Sequence, residues 1–175
     1  RAYAACLRGR LSSNVRPHEG AHLPIRTQVD DLSSAEARSL IAEHLAGMQG
    51  NSPPGHVHAL AIEGLRAPGV MFWTAWQGEK LCGCGALKEL SATSGEVKSM
   101  RTRPEFLRKG VGQAVLATVV AEAKSRGYRH LYLETGTGPA FEAAHALYER
   151  NGFAWCGAFG DYEATDFNVF MVKEL

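Results

Sequence analysis

The stretch that decides the fold begins with Glu96-Val97-Lys98-Ser99-Met100-Arg101-Thr102-Arg103, continues through Pro104-Glu105-Phe106-Leu107-Arg108-Lys109, and opens a helix at Gly110-Val111-Gly112. The first part is predicted to be a strand that Pro104 ends. The helix is predicted to run to Arg126, before a capping glycine at Gly127. A helix N-terminus presents unpaired N–H groups and the positive end of a dipole, and glycines let a bulky anion approach closely. The stretch therefore predicts a local polyanion site.

Cationic side chains strengthen this predicted anion site. Arg108 and Lys109 directly precede the glycines, and Arg101 and Arg103 lie just upstream. A mononucleotide P-loop would need Gly-Lys-Ser/Thr, which is absent, and a dinucleotide fingerprint would need a third glycine where Val115 stands. The simplest alternative is a close contact between helix and strand that binds no ligand.

Downstream of this stretch the chain alternates between strands and helices. Gly and Pro clusters separate the segments, and Pro139 occupies a position that favours the first turn of a helix. The predicted elements are a strand at His130–Glu134, a loop at Thr135–Gly138, a helix at Phe141–Arg150, and strands at Ala154–Phe159 and Asn168–Glu174.

Upstream, the pattern changes from helical periodicity to strands rich in β-branched and aromatic residues. Ser33-Ser34-Ala35-Glu36 reads as a capping box with Ser33 at the cap. The predicted elements are a strand at Ile25–Gln28, a helix after the capping box, a break at Gly50–Gly55, a short helix at Val57–Arg66, and strands at Val70–Trp76 and Leu81–Leu90, the last weakened or bulged by Gly83 and Gly85. The order β, α, α, β, β, β, α, β, α, β, β predicts an α/β (α+β) domain with a mixed sheet and helices on its faces.

Length and composition suit one globular domain. The chain has 175 residues, with 45% hydrophobic and 21% charged residues and a net charge of +1. We expect residues 1–24 to be a leader or disordered tail and residues 25–175 to form the domain. Near-neutral charge argues against nucleic acid and anionic membranes as partners. The sequence contains no apolar run of 18 or more residues, so it predicts no membrane-spanning helix.

Four cysteines bear on compartment and metal binding: Cys6, Cys82, Cys84 and Cys156. Cys82 and Cys84 are too few for a structural zinc site, and alternation along a strand predicts that both lie on one face of a hairpin. His56 and His58 lack a third metal ligand. We therefore expect no metal, and a cytoplasmic protein with reduced thiols.

Two segments carry a resemblance to a known family. Arg103–Gly112 resembles the acetyl-CoA motif of the GNAT superfamily of N-acetyltransferases, and Ala144–Phe153 resembles that family's second motif. The resemblance covers about residues 25–175, most specifically Glu96 to Phe153, and is to the small bacterial single-domain branch. It implies a GNAT fold with a mixed, mostly antiparallel sheet of six to seven strands, helices on both faces, acetyl-CoA as co-substrate, and a possible homodimer. Two positions depart from the family pattern: Leu107 replaces a Gln or Arg, and Phe141 replaces an Asn.

The resemblance also implies roles for individual residues. The edge of the strand at Met100 and Thr102 would pair with the pantetheine amides. Tyr148 would protonate the departing CoA thiolate as general acid; the alternative is a core tyrosine on an amphipathic helix. The pyrophosphate would be held by the N–H groups of Arg108, Lys109, Gly110, Val111, Gly112 and Gln113.

Amine acylation also needs a base, because only the neutral amine attacks a thioester. Glu96 stands fourteen residues before Gly110, the spacing of the base glutamate in the histone-acetyltransferase branch of the family. The alternative for Glu96 is an exposed carboxylate paired with Lys98. Glu134, at the end of the next strand, is the competing base, and a water chain is a third option.

Acceptor contacts are predicted on both sides of this centre. His58 would lie in the segment that covers the acceptor by family resemblance, with loop packing as the alternative. Glu134 is a second candidate acceptor contact. Asp161 would lie on the opposite wall and attract an ammonium, with a solvated turn as the alternative.

The resulting hypothesis is an N-acyltransferase. It would move an acetyl group from acetyl-CoA to a primary amine of a small-molecule acceptor, by direct attack in a ternary complex. The alternatives are a protein lysine or N-terminal acetyltransferase, a non-catalytic acyl-CoA-binding module, and a protein that binds another phosphate ligand at Gly110–Gly112.

Overall fold

A computed structural model describes residues 23–54 and 59–175. His58 and residues 1–22 of the predicted tail lie outside these ranges. In chain order the elements are β1 (Ile25–Val29), α1 (Ala35–Asn51), α2 (Ile62–Leu65), β2 (Val70–Gln77), β3 (Lys80–Ser91), β4 (Ser94–Thr102), a 3-10 turn (Pro104–Phe106), α3 (Val111–Ser125), β5 (His130–Gly136), α4 (Glu142–Arg150), β6 (Ala154–Cys156) and β7 (Asn168–Glu174). The predicted order of strands and helices is confirmed.

The strands form one seven-stranded sheet in the order β1-β2-β3-β4-β5-β7-β6. The β4–β5 pair is parallel, and the other neighbouring pairs are antiparallel. One hydrophobic cluster joins the sheet to α3 and Tyr148 of α4, and a second joins it to α1 and Leu65 of α2. Helices therefore cover both faces, and the predicted mixed, mostly antiparallel sheet is confirmed.

Strand β3 approaches α3 closely because it carries glycines on that face. A Cβ on Gly83 would lie 2.7 Å from Val111 Cγ1, and a Cβ on Gly85 would lie 2.5 Å from Val115 Cγ1. Any side chain there would push the helix away from the sheet. The predicted irregularity of this strand is confirmed, because its register with β2 shifts next to Gly83, between Ala75 and Trp76.

The two cysteines of β3 do not share a face, so that prediction was wrong. Ala75 pairs with Gly83 while Trp76 pairs with Leu81, so β3 has one extra residue at this point. Such a bulge interrupts the alternation of side chains. Cys82 consequently packs in the cluster beside α3, whereas Cys84 packs in the cluster beside α1.

The N-terminal cap of α1 is Ser34 and not Ser33, which corrects the capping-box prediction. The Ser34 Oγ accepts the N–H of Ala37 at 3.1 Å. The N–H of Ser33 instead donates to Asp31 Oδ1 at 2.8 Å, in a local side-chain turn. Ser33 is thereby held in the turn that precedes the helix.

Strand partners explain the other changes of boundary. β5 continues to Gly136, into the predicted loop, because it pairs with β7 as far as Gly136 and Asn168. β6 ends at Cys156 instead of Phe159, because its ladder with β7 stops at Cys156 and Phe170.

The sheet opens in the middle, between its two parallel strands. β4 and β5 pair only as far as Val97 and Leu133, although each strand continues beyond that point. Ser99 has a φ of 53°, which is rare for a residue other than glycine and marks a bulge in β4. The remainder of β4 therefore leaves its backbone unpaired on the β5 side.

Candidate active site

The N-terminus of α3 forms a cradle of backbone donors, here called the α3 cradle (the N–H groups of residues 108–113). Arg108 and Gly110 both have left-handed backbone, with φ values of 58° and 84°. Within the described residues, no carbonyl or side chain accepts from these six N–H groups. Alternating backbone conformations that aim successive N–H groups together bind anions. The predicted cofactor residues from Arg108 to Gln113 therefore form one continuous donor surface.

Positive charge beside the α3 cradle comes from Arg108 and Lys109, both exposed. The upstream arginines lie elsewhere. Arg103 Nη2 lies 3.3 Å from Glu43 Oε1 of α1, and Arg101 packs against Gly47 of the same helix. The expectation that all four cations share one anion site was wrong, because successive β4 side chains point to opposite faces of the sheet: Arg101 and Arg103 face α1, whereas Thr102 faces α3.

A cavity of about 180 Å³ fills the opening between β4 and β5, and is here called the small cavity. Its lining comes from both faces of the sheet: His44 from α1 and Tyr148 from α4, with Met100 from β4 and Glu134 from β5. Thr102 lies beside the α3 cradle, with its Oγ1 3.8 Å from where a Cβ of Gly112 would lie. The predicted pantetheine strand thus connects the small cavity to the α3 cradle.

Tyr148 belongs both to the core and to the small cavity. Its side chain is 6% exposed and packs against the Phe153 ring at 5.7 Å between centroids. Burial raises the pKa of Tyr148 above the usual range of a phenol. The hydroxyl therefore stays protonated, which suits a proton donor.

Glu96 is buried in a polar cluster. Its side chain is 1% exposed, and its Oε1 accepts from Lys98 Nζ at 3.1 Å and from the Tyr162 hydroxyl at 2.7 Å. Its Oε2 is buried without a hydrogen-bond partner in the described part of the chain. The ion pair with Lys98, considered from the sequence, is present, but the carboxylate is not exposed.

Glu134 is half-buried in the wall of the small cavity. Burial raises its pKa to about 7; the charge of Glu96 pushes in the same direction and that of Lys98 opposes both. A carboxyl group that titrates near neutral pH can accept and release a proton under working conditions.

A larger cavity of about 1090 Å³, here called the large cavity, adjoins the small one because Lys98 lines both. Its wall includes Tyr132, Phe159 and Tyr162, whose neighbouring ring centroids are 4.9 and 5.1 Å apart. Asp161, predicted as an acceptor contact, is exposed and lines this cavity.

Sequence reasoning missed several of these side chains. The hydrogen bond from Tyr162 to Glu96 was not predicted, because only folding brings the loop before β7 to β4. His44 and Ser99 line the small cavity, but neither was proposed as a ligand contact, and Arg101 was expected at the anion site of α3 instead of in this cavity. The pairing of Glu96 with Lys98 was considered from the sequence, and it agrees with the alternation of side chains along β4, since the two residues are two apart.

The donor set fits acetyl-CoA. The α3 cradle supplies N–H groups and cations for a pyrophosphate, and β4 supplies an unpaired strand edge for amides. The small cavity places a protonated phenol and a titratable carboxyl group beside that edge. For a metal, the described residues contain no group of three or more His, Cys, Asp or Glu side chains that could hold one. No helix in these ranges is long and apolar enough to cross a membrane.

Comparison with known proteins gives consistent results. Residues 37–153 match the Acetyltransferase (GNAT) family. The chain is 50% identical to the uncharacterized N-acetyltransferase YsnE of Bacillus subtilis, over 85% of this chain and 98% of that protein. It is 34% identical to an IAA acetyltransferase of Azospirillum brasilense, over 67% of this chain and 76% of that protein.

A solved structure agrees with these matches. A Klebsiella pneumoniae protein described as an acyl-CoA N-acyltransferase superposes with a TM-score of 0.71 at 29% identity, over 86% of this chain and 97% of that one. The family match covers well over half of the chain and contains both motifs, the α3 cradle and Tyr148. This chain belongs to the GNAT family of acetyltransferases.

Proposed function

We propose that this acetyltransferase moves the acetyl group of acetyl-CoA to a primary amine of a small molecule, by direct attack while both substrates are bound. One observation carries the proposal: the small and large cavities meet at Lys98. Two substrates can therefore reach a common point from different sides. Acetyl-CoA supplies the thioester, and the side chains around that point supply proton transfer.

The co-substrate would be held mainly by backbone. The N–H groups of the α3 cradle bind the pyrophosphate, with Arg108 and Lys109 adding charge. The free edge of β4 at Met100 and Thr102 pairs with the pantetheine amides. This arrangement explains how Leu107 can stand where the family has a polar residue, since the backbone donors do not depend on that side chain.

The acceptor amine must lose a proton, and two carboxylates compete for it. Glu134 titrates near pH 7 and lines the same cavity as Tyr148. Glu96 is committed to Lys98 and Tyr162, although its Oε2 has no partner among the described residues. These contacts favour Glu134 as the base, and the charge of Glu96 raises the pKa of Glu134. The spacing of Glu96 from Gly110 had favoured Glu96 as the base instead.

The leaving thiolate must gain a proton, and Tyr148 is the proposed donor. Its hydroxyl stays protonated at every working pH because burial disfavours the phenolate. The hydrophobic core holds its ring in place, so the hydroxyl is pre-positioned at the small cavity.

The large cavity favours an acceptor that carries an ammonium group. The carboxylates of Glu89, Asp161 and Glu163 line it together with an aromatic wall. Carboxylates and aromatic faces both attract an ammonium. We place the body of the acceptor in the large cavity.

A cytoplasmic enzyme and a homodimer are also predicted.

The experiment is an assay of thiol release from acetyl-CoA with a panel of primary amines, short lysine peptides and IAA, the last because a 34% identical relative is named for it. Acetylation of a small amine in preference to the peptides is expected, with intersecting initial-rate lines for the two substrates. Acetylation of the lysine peptides alone would show that the acceptor is a protein lysine and not a small molecule. Acetyl-CoA binding without turnover of any compound would favour a non-catalytic module.

A further inference from the structure

The small cavity contains a guanidinium without a counter-charge. Arg101 lines this cavity, and none of the ion pairs found among the described residues includes it. Its Nε is buried and has no hydrogen-bond partner within residues 23–54 and 59–175. A partly buried, unpaired guanidinium is costly, so its persistence indicates that a ligand supplies the missing anion.

Two neighbouring groups complete a set of polar partners around Arg101. Ser99, two residues away on β4, is 8% exposed, and its Oγ is also buried with no partner in the part of the chain that the structure describes. His44 of α1 is buried in the same wall, and burial together with Arg101 and Lys98 lowers its pKa to about 4. Its imidazole is therefore neutral near pH 7. A guanidinium, a hydroxyl and a neutral imidazole together suit one anionic group.

The anion does not belong to the phosphates of acetyl-CoA. Arg101 points to the α1 face of the sheet, where it packs against Gly47. Thr102 points to the other face, beside the α3 cradle where a pyrophosphate would bind. The two anion sites thus use opposite faces of β4, and the one at Arg101 is left for the acceptor.

The shape and charge of the binding group favour a carboxylate over a phosphate. The charged side chains that line the small cavity are Lys98, Arg101 and Glu134, and Lys98 is already paired with Glu96. The carboxyl group of Glu134 disfavours a doubly charged phosphate there, whereas the planar guanidinium fork matches a singly charged carboxylate in two parallel hydrogen bonds.

We infer that the acceptor is an amino carboxylic acid, whose carboxylate binds Arg101, Ser99 and His44 while its amine faces Glu134. This inference rests on the proposed function and narrows it. Because both groups of the acceptor must fit a cavity of about 180 Å³, the amine and the carboxylate are separated by only a few bonds. An α- or β-amino acid meets this condition.

The test compares amino acids with the amines that remain when their carboxylate is removed. The pairs are phenylalanine with 2-phenylethylamine, leucine with 3-methylbutylamine, and lysine with cadaverine. For the best pair, wild-type kcat/KM should favour the amino acid by about 10²-fold, the value of a hydrogen bond between charged groups. Equal or better turnover of the amines would overturn the inference and leave the proposed function standing. Failure to acetylate any of these amino acids, while another primary amine is acetylated, would also overturn the inference alone.

Variants test the assignment to Arg101. Arg101→Met should remove the preference, lowering kcat/KM for the amino acid about 10²-fold while changing that for the amine by less than about threefold. Arg101→Lys should restore part of the preference, and Ser99→Ala should weaken it less than Arg101→Met does. The matched control is Arg103→Met, because Arg103 is paired with Glu43 and does not line the cavity. A raised KM for acetyl-CoA in Arg101→Met, with the preference intact, would assign this arginine to the co-substrate instead.

Discussion

Tyr148 lies where the hydrophobic core meets the small cavity, so its hydroxyl can be tested with little disturbance of packing. Tyr148→Phe should lower kcat by about 10²–10⁴, the usual value of a general acid. Affinity for acetyl-CoA and Tm should hardly change, because the ring remains. Steady-state kinetics of thiol release and calorimetry with CoA measure both effects.

A second tyrosine provides the control. The Tyr128 hydroxyl donates to Glu89 at 3.0 Å, and Tyr128 does not line the small cavity. Tyr128→Phe should reduce the free energy of unfolding by about 1 kcal/mol and leave kcat intact. An unchanged kcat in Tyr148→Phe would remove the general acid from the mechanism.

The base is tested by the pH dependence of kcat. If Glu134 accepts the amine proton, activity should rise with pH through about 7, because below that pH the carboxyl is already protonated. Glu134→Gln should abolish this rise of activity with pH and lower kcat. Its defect should shrink as pH rises, since an amine that is already neutral needs no base.

Glu96→Gln separates the two carboxylates. The charge of Glu96 raises the pKa of Glu134, so replacing Glu96 by neutral Gln should lower the pKa of Glu134 and shift the rise in activity to lower pH. Activity at the plateau should persist. If kcat no longer rises with pH in Glu96→Gln but still rises in Glu134→Gln, Glu96 is the base, as its spacing from Gly110 suggested.

At the scale of elements, the N-terminus of α3 is the feature most open to test. Gly110 has a φ of 84°, so any side chain there would strain the backbone as well as block the cradle. Gly112 is the better site, because a Cβ would lie 3.2 Å from Leu147 Cδ2 and among the free N–H groups. Gly112→Val should weaken CoA binding by about 10–100-fold, the value of a charge-assisted hydrogen bond, measured by calorimetry.

Gly50 supplies a matched control within another helix. A Cβ there would meet nothing within 4 Å. Gly50→Ala should leave CoA affinity unchanged and raise the free energy of unfolding by about 0.5–1 kcal/mol, because α1 loses a flexible residue. CoA binding by Gly112→Val at the wild-type level would show that the pyrophosphate site lies elsewhere.

At the scale of the whole molecule, the domain boundary at the predicted tail is testable. Leu23 is held at the edge of the fold, where its carbonyl accepts from Gln77 Nε2 at 2.8 Å. A variant that begins at Leu23 should keep the Tm and the CoA affinity of the full chain. A variant that begins at Asp31 also loses β1, which pairs with β2 and bonds to α3 through Thr27 and Thr118. Only the variant that begins at Asp31 should lose several degrees of Tm. A similar loss in the variant that begins at Leu23 would show that the domain begins before Leu23, within the predicted tail.

The sequence alone determined the order of elements and the α3 cradle, because both depend on local chemistry. Periodicity, Pro104 and the glycines at Gly110 and Gly112 act within a few residues along the chain, so they can be read without knowing the fold. The motif around Tyr148 predicted a second part of the site through its resemblance to the GNAT family. Boundaries such as Ser34, Gly136 and Cys156 could not be read, since they depend on side-chain turns and strand partners.

The tertiary structure decided what surrounds the reacting groups. The bulge in β3 separates Cys82 from Cys84, and the divergence of β4 from β5 creates the cavity into which helices from both faces contribute. Charge and burial at Glu96 and Glu134 follow from these long-range contacts. Arg101 illustrates the reason: in the sequence it is one of four cations before a glycine turn, and only the folded sheet turns it to the opposite face, where no described residue forms an ion pair with it.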